Sequence, residues 1–254
     1  MCLLLAAHRV HPLYDLAVAA NRDELHARPT TPMHRWREPA GILAGQDLSA
    51  GGTWLGIDPS GRFASVTNFH EHAASRPDQP SRGKLVVDYL GGAHDAAGYL
   101  ERLERTAADY AGFNLLLADR DSLWYASNRS PEFARRLPPG VYSLSNHLLD
   151  TPWPKAVSAR TQLARWVDSG SRALEPLREL LLDSESQSGS DLPWPASSGP
   201  FVKGAEFGTR SSTWLARDSR LLQIGEENFT PQGRSSGRAQ FSVSLPALAA
   251  GPHL

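Results

Sequence analysis

The opening 24 residues, MCLLLAAHRVHPLYDLAVAANRDE, constrain this chain more than any other stretch. Two apolar runs, Cys2–Ala7 and Leu16–Ala20, flank the polar, proline-containing segment His8–Asp15. The pattern predicts a β-hairpin turning near His11-Pro12. Antiparallel pairing about that turn sets Cys2 roughly opposite Asn21, so the one cysteine of the sequence faces the run Asn21-Arg22-Asp23-Glu24. Position 2 adds a further property. Removal of Met1 leaves a thiol and a free α-amine on the same residue, with reference pKa values of about 8.5 and about 7.7–8.0. A nucleophile and a base are then held together without help from the fold.

A chain of 254 residues is long enough for a full core in one large domain or two small ones. Its 41% hydrophobic and 21% charged residues predict a soluble globular protein. The formal net charge of −1 supplies no basic surplus for binding a phosphate backbone, so nucleic acid is not an expected partner. A single cysteine excludes an internal disulfide and a cysteine-rich metal site. Leu3–Ala7 is too short for a secretory core and for a membrane span, and a cytoplasmic location, where the thiol stays reduced, is expected.

Further along, His26–Glu38 is polar and proline-marked and reads as a loop with Trp36 partly packed. Ile42–Gly45 and Thr53–Ile57 read as strands. Asp58-Pro59-Ser60-Gly61 is a turn signal, after which Phe63–Phe69 returns as a strand. A helical pattern begins at Gly83–Leu90 and continues over Ala96–Ala108. Phe113–Ala118, Ser122–Ala126 and Val141–Leu144 are β-like. Helices are predicted at Pro154–Val167 and Leu174–Leu182. The Ser, Pro and Gly-rich stretch 184–204 reads as a long surface loop within a single domain. Strands close the chain at Phe207–Ala216, Leu221–Ile224 and Gln240–Leu245. This order predicts an α+β layered fold with mainly antiparallel sheets.

Cys2 reads either as a small buried hydrophobe or as a nucleophile. As a nucleophile it needs an oxyanion hole and a group to orient its amine. Asn21-Arg22-Asp23-Glu24 ends an apolar strand, where four polar residues are costly to bury unpaired. The run is either a solvated turn or a source of charge beside residue 2. Asn68 and Asn146 each end a strand, as oxyanion donors or as turn formers. Arg210 sits in a small, polar strand entry, to clamp a carboxylate or to pair with a surface acid. His70-Glu71-His72 and His8/His11 lack the spacing of a zinc site, and no metal is expected.

Taken in order, Met1-Cys2, Ala19–Glu24, Arg28-Pro29, Gly51–Gly56, Thr67-Asn68, Ser81-Arg82-Gly83, Phe113-Asn114, Ser145-Asn146 and Gly208–Thr213 resemble the NRDE family, to which the animal transport and Golgi organisation proteins belong. That resemblance extends to N-terminal-nucleophile hydrolases of the choloylglycine hydrolase and penicillin V acylase type. It implies a four-layer αββα sandwich. It implies Cys2 as nucleophile, Asp23 orienting the amine with Arg22 nearby, Asn68 and Asn146 at the oxyanion, and Arg210 assisting. Asn21, Glu24 and Trp54 are the ligand-binding positions it suggests. The hydrolases carry Arg and Asp three apart, whereas Arg22 and Asp23 are adjacent. The implied activity is hydrolysis of a linear amide in a small-molecule substrate, with no cofactor required. A second implication is haem binding or trafficking, with haem as ligand and no hydrolysis.

Overall fold

The computed structural model describes residues 2–39, 41–71, 79–184 and 199–247. The opening hairpin is β1 (Leu3–His8) and β2 (Leu16–Leu25), paired antiparallel from His8 opposite Leu16 to Leu3 opposite Asn21. The register differs by one residue from the sequence expectation. The turn centres on Pro12, so Leu3 rather than Cys2 faces Asn21, and Cys2 falls level with Arg22. One residue of slip exchanges the faces of a sheet. In the observed register Arg22, not Asn21, shares the level and face of Cys2, and Asn21 points to the opposite face.

Two antiparallel sheets form the centre. The first has the order β10-β1-β2-β11-β12-β13. Its later strands are β10 (Gly140–Leu144), β11 (Phe207–Arg217), β12 (Leu221–Phe229) and β13 (Ser235–Ser244). The second runs β3-β4-β5-β6-β7-β8-β9 in sequence order. It comprises β3 (Thr30–Arg35), β4 (Leu43–Asp47), β5 (Leu55–Ile57), β6 (Phe63–Asn68), β7 (Phe113–Ala118), β8 (Leu123–Ser127) and β9 (Ala134–Leu137). Helices α1 (Gly83–Gly91) and α2 (Ala96–Glu104) cover the second sheet, and α3 (Pro154–Ser169) and α4 (Glu175–Glu179) cover the first. The result is the αββα sandwich the sequence implied.

Leu3–Ala7 of β1 and Leu16–Ala20 of β2 are apolar because they lie mid-sheet with both faces covered. Leu4, Ala6, Val18 and Ala20 point into the space between the sheets, with Leu55, Phe63, Leu116 and Leu215. Leu3, Leu5, Ala17 and Ala19 point to the other side, against Trp153, Leu163 and Trp166. Each such leucine contributes roughly 1.5–3 kcal/mol of burial. A third apolar cluster joins α1 and α2 to Ala64, Leu115 and Leu117.

The sequence reading missed β3 and β9, the two edges of the seven-stranded sheet. Edge strands tolerate proline and charge because one side has no ladder to maintain. β3 (TTPMHR) carries a proline and a charge, and β9 (ARRL) two adjacent charges, which hid their alternation. His26–Glu38 is therefore only partly loop. Trp36 is buried, and its Nε1 donates to the Ala44 carbonyl. The helical run after Gly83 breaks between Gly91 and Ala96, and the helix foreseen at Leu174–Leu182 shortens to α4. The long loop foreseen at 184–204 lies mostly outside the described residues. No helix among the described residues is long and apolar enough to cross a membrane.

Candidate active site

Strand alternation delivers the polar run at the end of β2 to two different places. Arg22 continues the face of Val18 and Ala20, between the sheets. Its guanidinium lies 4.2 Å from the centre of the Trp54 ring and 3.8 Å from Glu24 Oε2, and Nη1 donates to Thr30 Oγ1. Such stacking holds a planar cation in place. Trp54 can lie there because residue 45 is glycine; a Cβ at Gly45 would come within 2.4 Å of the indole.

Asn21 and Asp23 point to the helix side. Asn21 is buried, and its Nδ2 donates to the carbonyls of Leu181 and Pro200 while Ser212 Oγ donates to its Oδ1. It ties strand to overlying chain and does not reach the cavity, so it is not placed as a ligand-binding residue. Asp23 Oδ1 accepts from Thr209 Oγ1 at 2.7 Å, and its Oδ2 has no partner among the described residues. Burial pushes the Asp23 carboxyl up from the usual range, opposed by the charge of Lys155.

Cys2 precedes β1 and is half-buried. Its backbone nitrogen donates to Asn146 Oδ1 at 2.9 Å, and Ser145 Oγ donates to its carbonyl at 2.6 Å. Its Sγ lies 4.0 Å from the Asp23 carbonyl. Burial pushes the thiol up, with Arg22 acting the other way.

The short blocks read from the sequence converge on this corner. Thr67 Oγ1 donates to the Ser145 carbonyl, and Asn146 Nδ2 donates to the Asn68 carbonyl. Those bonds stitch the end of β6 in one sheet to the end of β10 in the other. Asn114 Nδ2 donates to Thr67 Oγ1 and to the His147 carbonyl. Asn146 thus has its amide occupied on both sides. Its Oδ1 holds the nitrogen of the cysteine, and one of its two Nδ2 hydrogens goes to the Asn68 carbonyl. Asn68 is exposed and lines the cavity.

That cavity has a volume of about 510 Å³. Cys2, Arg22, Asp23, Glu24, Trp54 and Asn68 line it. Arg28, Asp47 and Arg82 were not singled out as site residues and also line it. Arg28 is locked to Asp47 by a bidentate pair, with Nη2 at 2.6 Å from Oδ2. Arg82 donates to the Gly112 carbonyl at 3.0 Å. Its position depends on Gly83, which packs against Gly52 so closely that a Cβ on Gly52 would sit 2.5 Å from the Gly83 carbonyl carbon. The Gly51-Gly52 and Ser81-Arg82-Gly83 blocks are thus two sides of one contact. Arg210 does not line the cavity. Its Nη1 donates to the carbonyls of Leu25 and Arg28, bracing the turn that presents Arg28.

Lys155 was also missed, because it reads as one more polar residue of a helix. It is buried and reaches no hydrogen-bond partner among the described residues. Among the described residues no group of three or more His, Cys, Asp or Glu side chains converges to hold a metal.

Comparison with known proteins agrees with this architecture. The chain is 33% identical to the Transport and Golgi organization 2 homolog of Mus musculus, over 86% of this chain and 89% of the mouse protein. It is 35% identical to the Homo sapiens homolog, over 77% of this chain and 75% of the human one. Among solved structures, a variant of conjugated bile acid hydrolase from Clostridium perfringens superposes with a TM-score of 0.51. That match covers 99% of both chains at 10% identity, and so shows a shared N-terminal-nucleophile hydrolase fold. The sequence model described as Transport and Golgi organisation 2 matches residues 1–230. On the reach of that match and the identity of these relatives, the chain belongs to the Transport and Golgi organisation 2 family.

Proposed function

We propose that this protein is an N-terminal-cysteine amidohydrolase acting on a linear amide. One observation carries the reading: the nitrogen of Cys2 is anchored 2.9 Å from Asn146 Oδ1 while its thiol lines the 510 Å³ cavity. Loss of Met1 converts that anchored nitrogen into an α-amine next to the thiol it must deprotonate.

In this reading the thiol proton passes to the α-amine as Sγ attacks the substrate carbonyl carbon. Asn68, exposed to the cavity, faces the oxyanion that develops. Collapse breaks the C–N bond, and the departing amine takes the proton from the α-ammonium. Water then adds to the thioester, assisted by the same amine, and releases the acid and the thiol. Burial holds the free thiol protonated, so proton removal at the moment of attack fits this site better than a standing thiolate. Arg22, Arg28 and Arg82 share the wall with Asp23, Glu24 and Asp47, so the cavity favours a polar substrate that can meet both signs of charge.

A second reading places haem in the cavity as cargo, its carboxylates meeting the same arginines. Cys2 is the sole axial donor among the described lining residues, no histidine joining it. A thiol held protonated is a poor ligand, so hydrolysis is placed first.

Intact-mass analysis, iodoacetamide labelling and a panel of N-acyl amides test the proposal together. The expected result is a chain lacking Met1, labelled on Cys2, with turnover abolished in Cys2→Ser. Retention of Met1 overturns it, because the nitrogen stays in a peptide bond. A haemin titration giving a Soret change in the native protein that Cys2→Ser removes reverses the order of the two readings.

A further inference from the structure

We infer that Lys155 is a positioning residue of the Cys2 site, acting from the helix layer through Asp23. The inference rests on the reading of Cys2 as nucleophile.

Lys155 follows Pro154 in the first turn of α3 and is 4% exposed. Both facts oppose a lysine there. The start of a helix carries partial positive charge, and burying an ammonium without a hydrogen bond is costly. The residue sits beside the cluster of Leu3, Ala156, Ala159 and Trp153, where an apolar side chain would pack at lower cost. Stability alone therefore does not account for it.

Its electrostatic surroundings do. The charged or ionisable groups that act on Lys155 are Asp23, at the end of β2, and Cys2, ahead of β1. Lys155 is in turn the strongest cationic influence on Asp23, while β11 contributes the uncharged hydroxyl of Thr209. Lys155 Nζ and Asp23 Oδ2 are both buried, and neither has a hydrogen-bond partner among the described residues. A basic and an acidic group, each without a hydrogen bond at that atom, thus lie on the helix side of the sheet. Burial drives Asp23 toward the neutral acid and Lys155 toward the neutral amine. The charge of each opposes that drift in the other. An ionised Asp23 can orient the α-amine of a processed Cys2; a protonated one presents a hydroxyl and loses that hold.

The test compares the native protein with Lys155→Met, Asp23→Asn and the double variant. Two quantities are read: the pH midpoint of the Asp23 carboxyl, by ¹³C NMR, and the rate of iodoacetamide labelling of Cys2 at pH 7. Lys155→Met should raise the Asp23 midpoint by about one unit or more and slow labelling about tenfold. The double variant should lose no more than either single variant, because both act on one carboxylate. Thermal stability should hold or rise, which a packing role would not produce. An unmoved midpoint, or losses that multiply, overturns the inference.

If Lys155→Met does not fold, the reciprocal measurement decides. Asp23→Asn should lower the midpoint of the Lys155 ammonium by a comparable factor, and an unchanged midpoint overturns the proposal. None of these readouts needs turnover. A protein that hydrolyses nothing would remove the amidohydrolase reading while leaving the coupling of Lys155 to Asp23 measurable.

Discussion

At the scale of single residues, the site depends on small polar side chains satisfying one another beside a charged cavity. Asn146 is the clearest case, since it serves the Cys2 nitrogen and the Asn68 carbonyl at once. Asn146→Ala leaves both unpaired and should cost about 2–3 kcal/mol, read by denaturant unfolding, with slower labelling of Cys2. Glu226 gives a pH signature. It is fully buried on β12, with Oε1 accepting from the Met33 amide and Oε2 without a hydrogen-bond partner among the described residues, and burial pushes its carboxyl up. A carboxyl with a raised folded-state pKa binds its proton more tightly when folded. Stability is then lost as pH rises from the unfolded value of about 4.3 through the folded one. Glu226→Gln removes that loss and should be more stable than the native protein at pH 7. The gain should disappear below about pH 4, in melts run across that range.

At the scale of elements, strand ends carry the chemistry and glycines let them approach. Gly52→Ala would drive a methyl into the backbone of Gly83, displacing the start of α1 and with it Arg82. The expected cost is about 1–3 kcal/mol, with slower Cys2 labelling as the cavity wall shifts. Far from the cysteine, Arg217 fastens β11 to neighbouring chain. It is 1% exposed, and it donates to Asp15 Oδ1 at 2.8 Å and to the Gly61 carbonyl at 2.6 Å. Arg217→Met should cost about 2–3 kcal/mol in unfolding experiments and leave the labelling rate of Cys2 unchanged. The two substitutions therefore separate support of the site from support of the sandwich. Elements were legible in the sequence where their periodicity was unopposed. The central strands β1, β6 and β7 were read nearly to their ends, because burial on both faces leaves continuous apolar runs. β3 and β9 were not, because a sheet edge imposes no such pattern.

At the scale of the whole molecule, the layers bring together blocks scattered from Cys2 to Thr213. Two sheets meeting end to end place Thr67-Asn68 beside Ser145-Asn146, and α3 adds Lys155 from the outer layer. Polar residues at strand ends, the αββα order and a cysteine next to the acidic and basic run could all be argued from the chain alone. Local pattern and recurring short blocks suffice for that, since both are written in neighbouring residues. Which side of the sheet each residue of Asn21-Arg22-Asp23-Glu24 faces was not written there. A hairpin register shifted by one residue exchanges the faces, and that register is fixed by packing against partners far away in sequence. Only the tertiary structure gave Arg22 to Trp54, Asp23 to Thr209, Asn21 to the overlying chain and Arg210 to a turn. A buried lysine on a helix has no local signature at all, because its burial and its counter-charge come from a strand more than a hundred residues earlier.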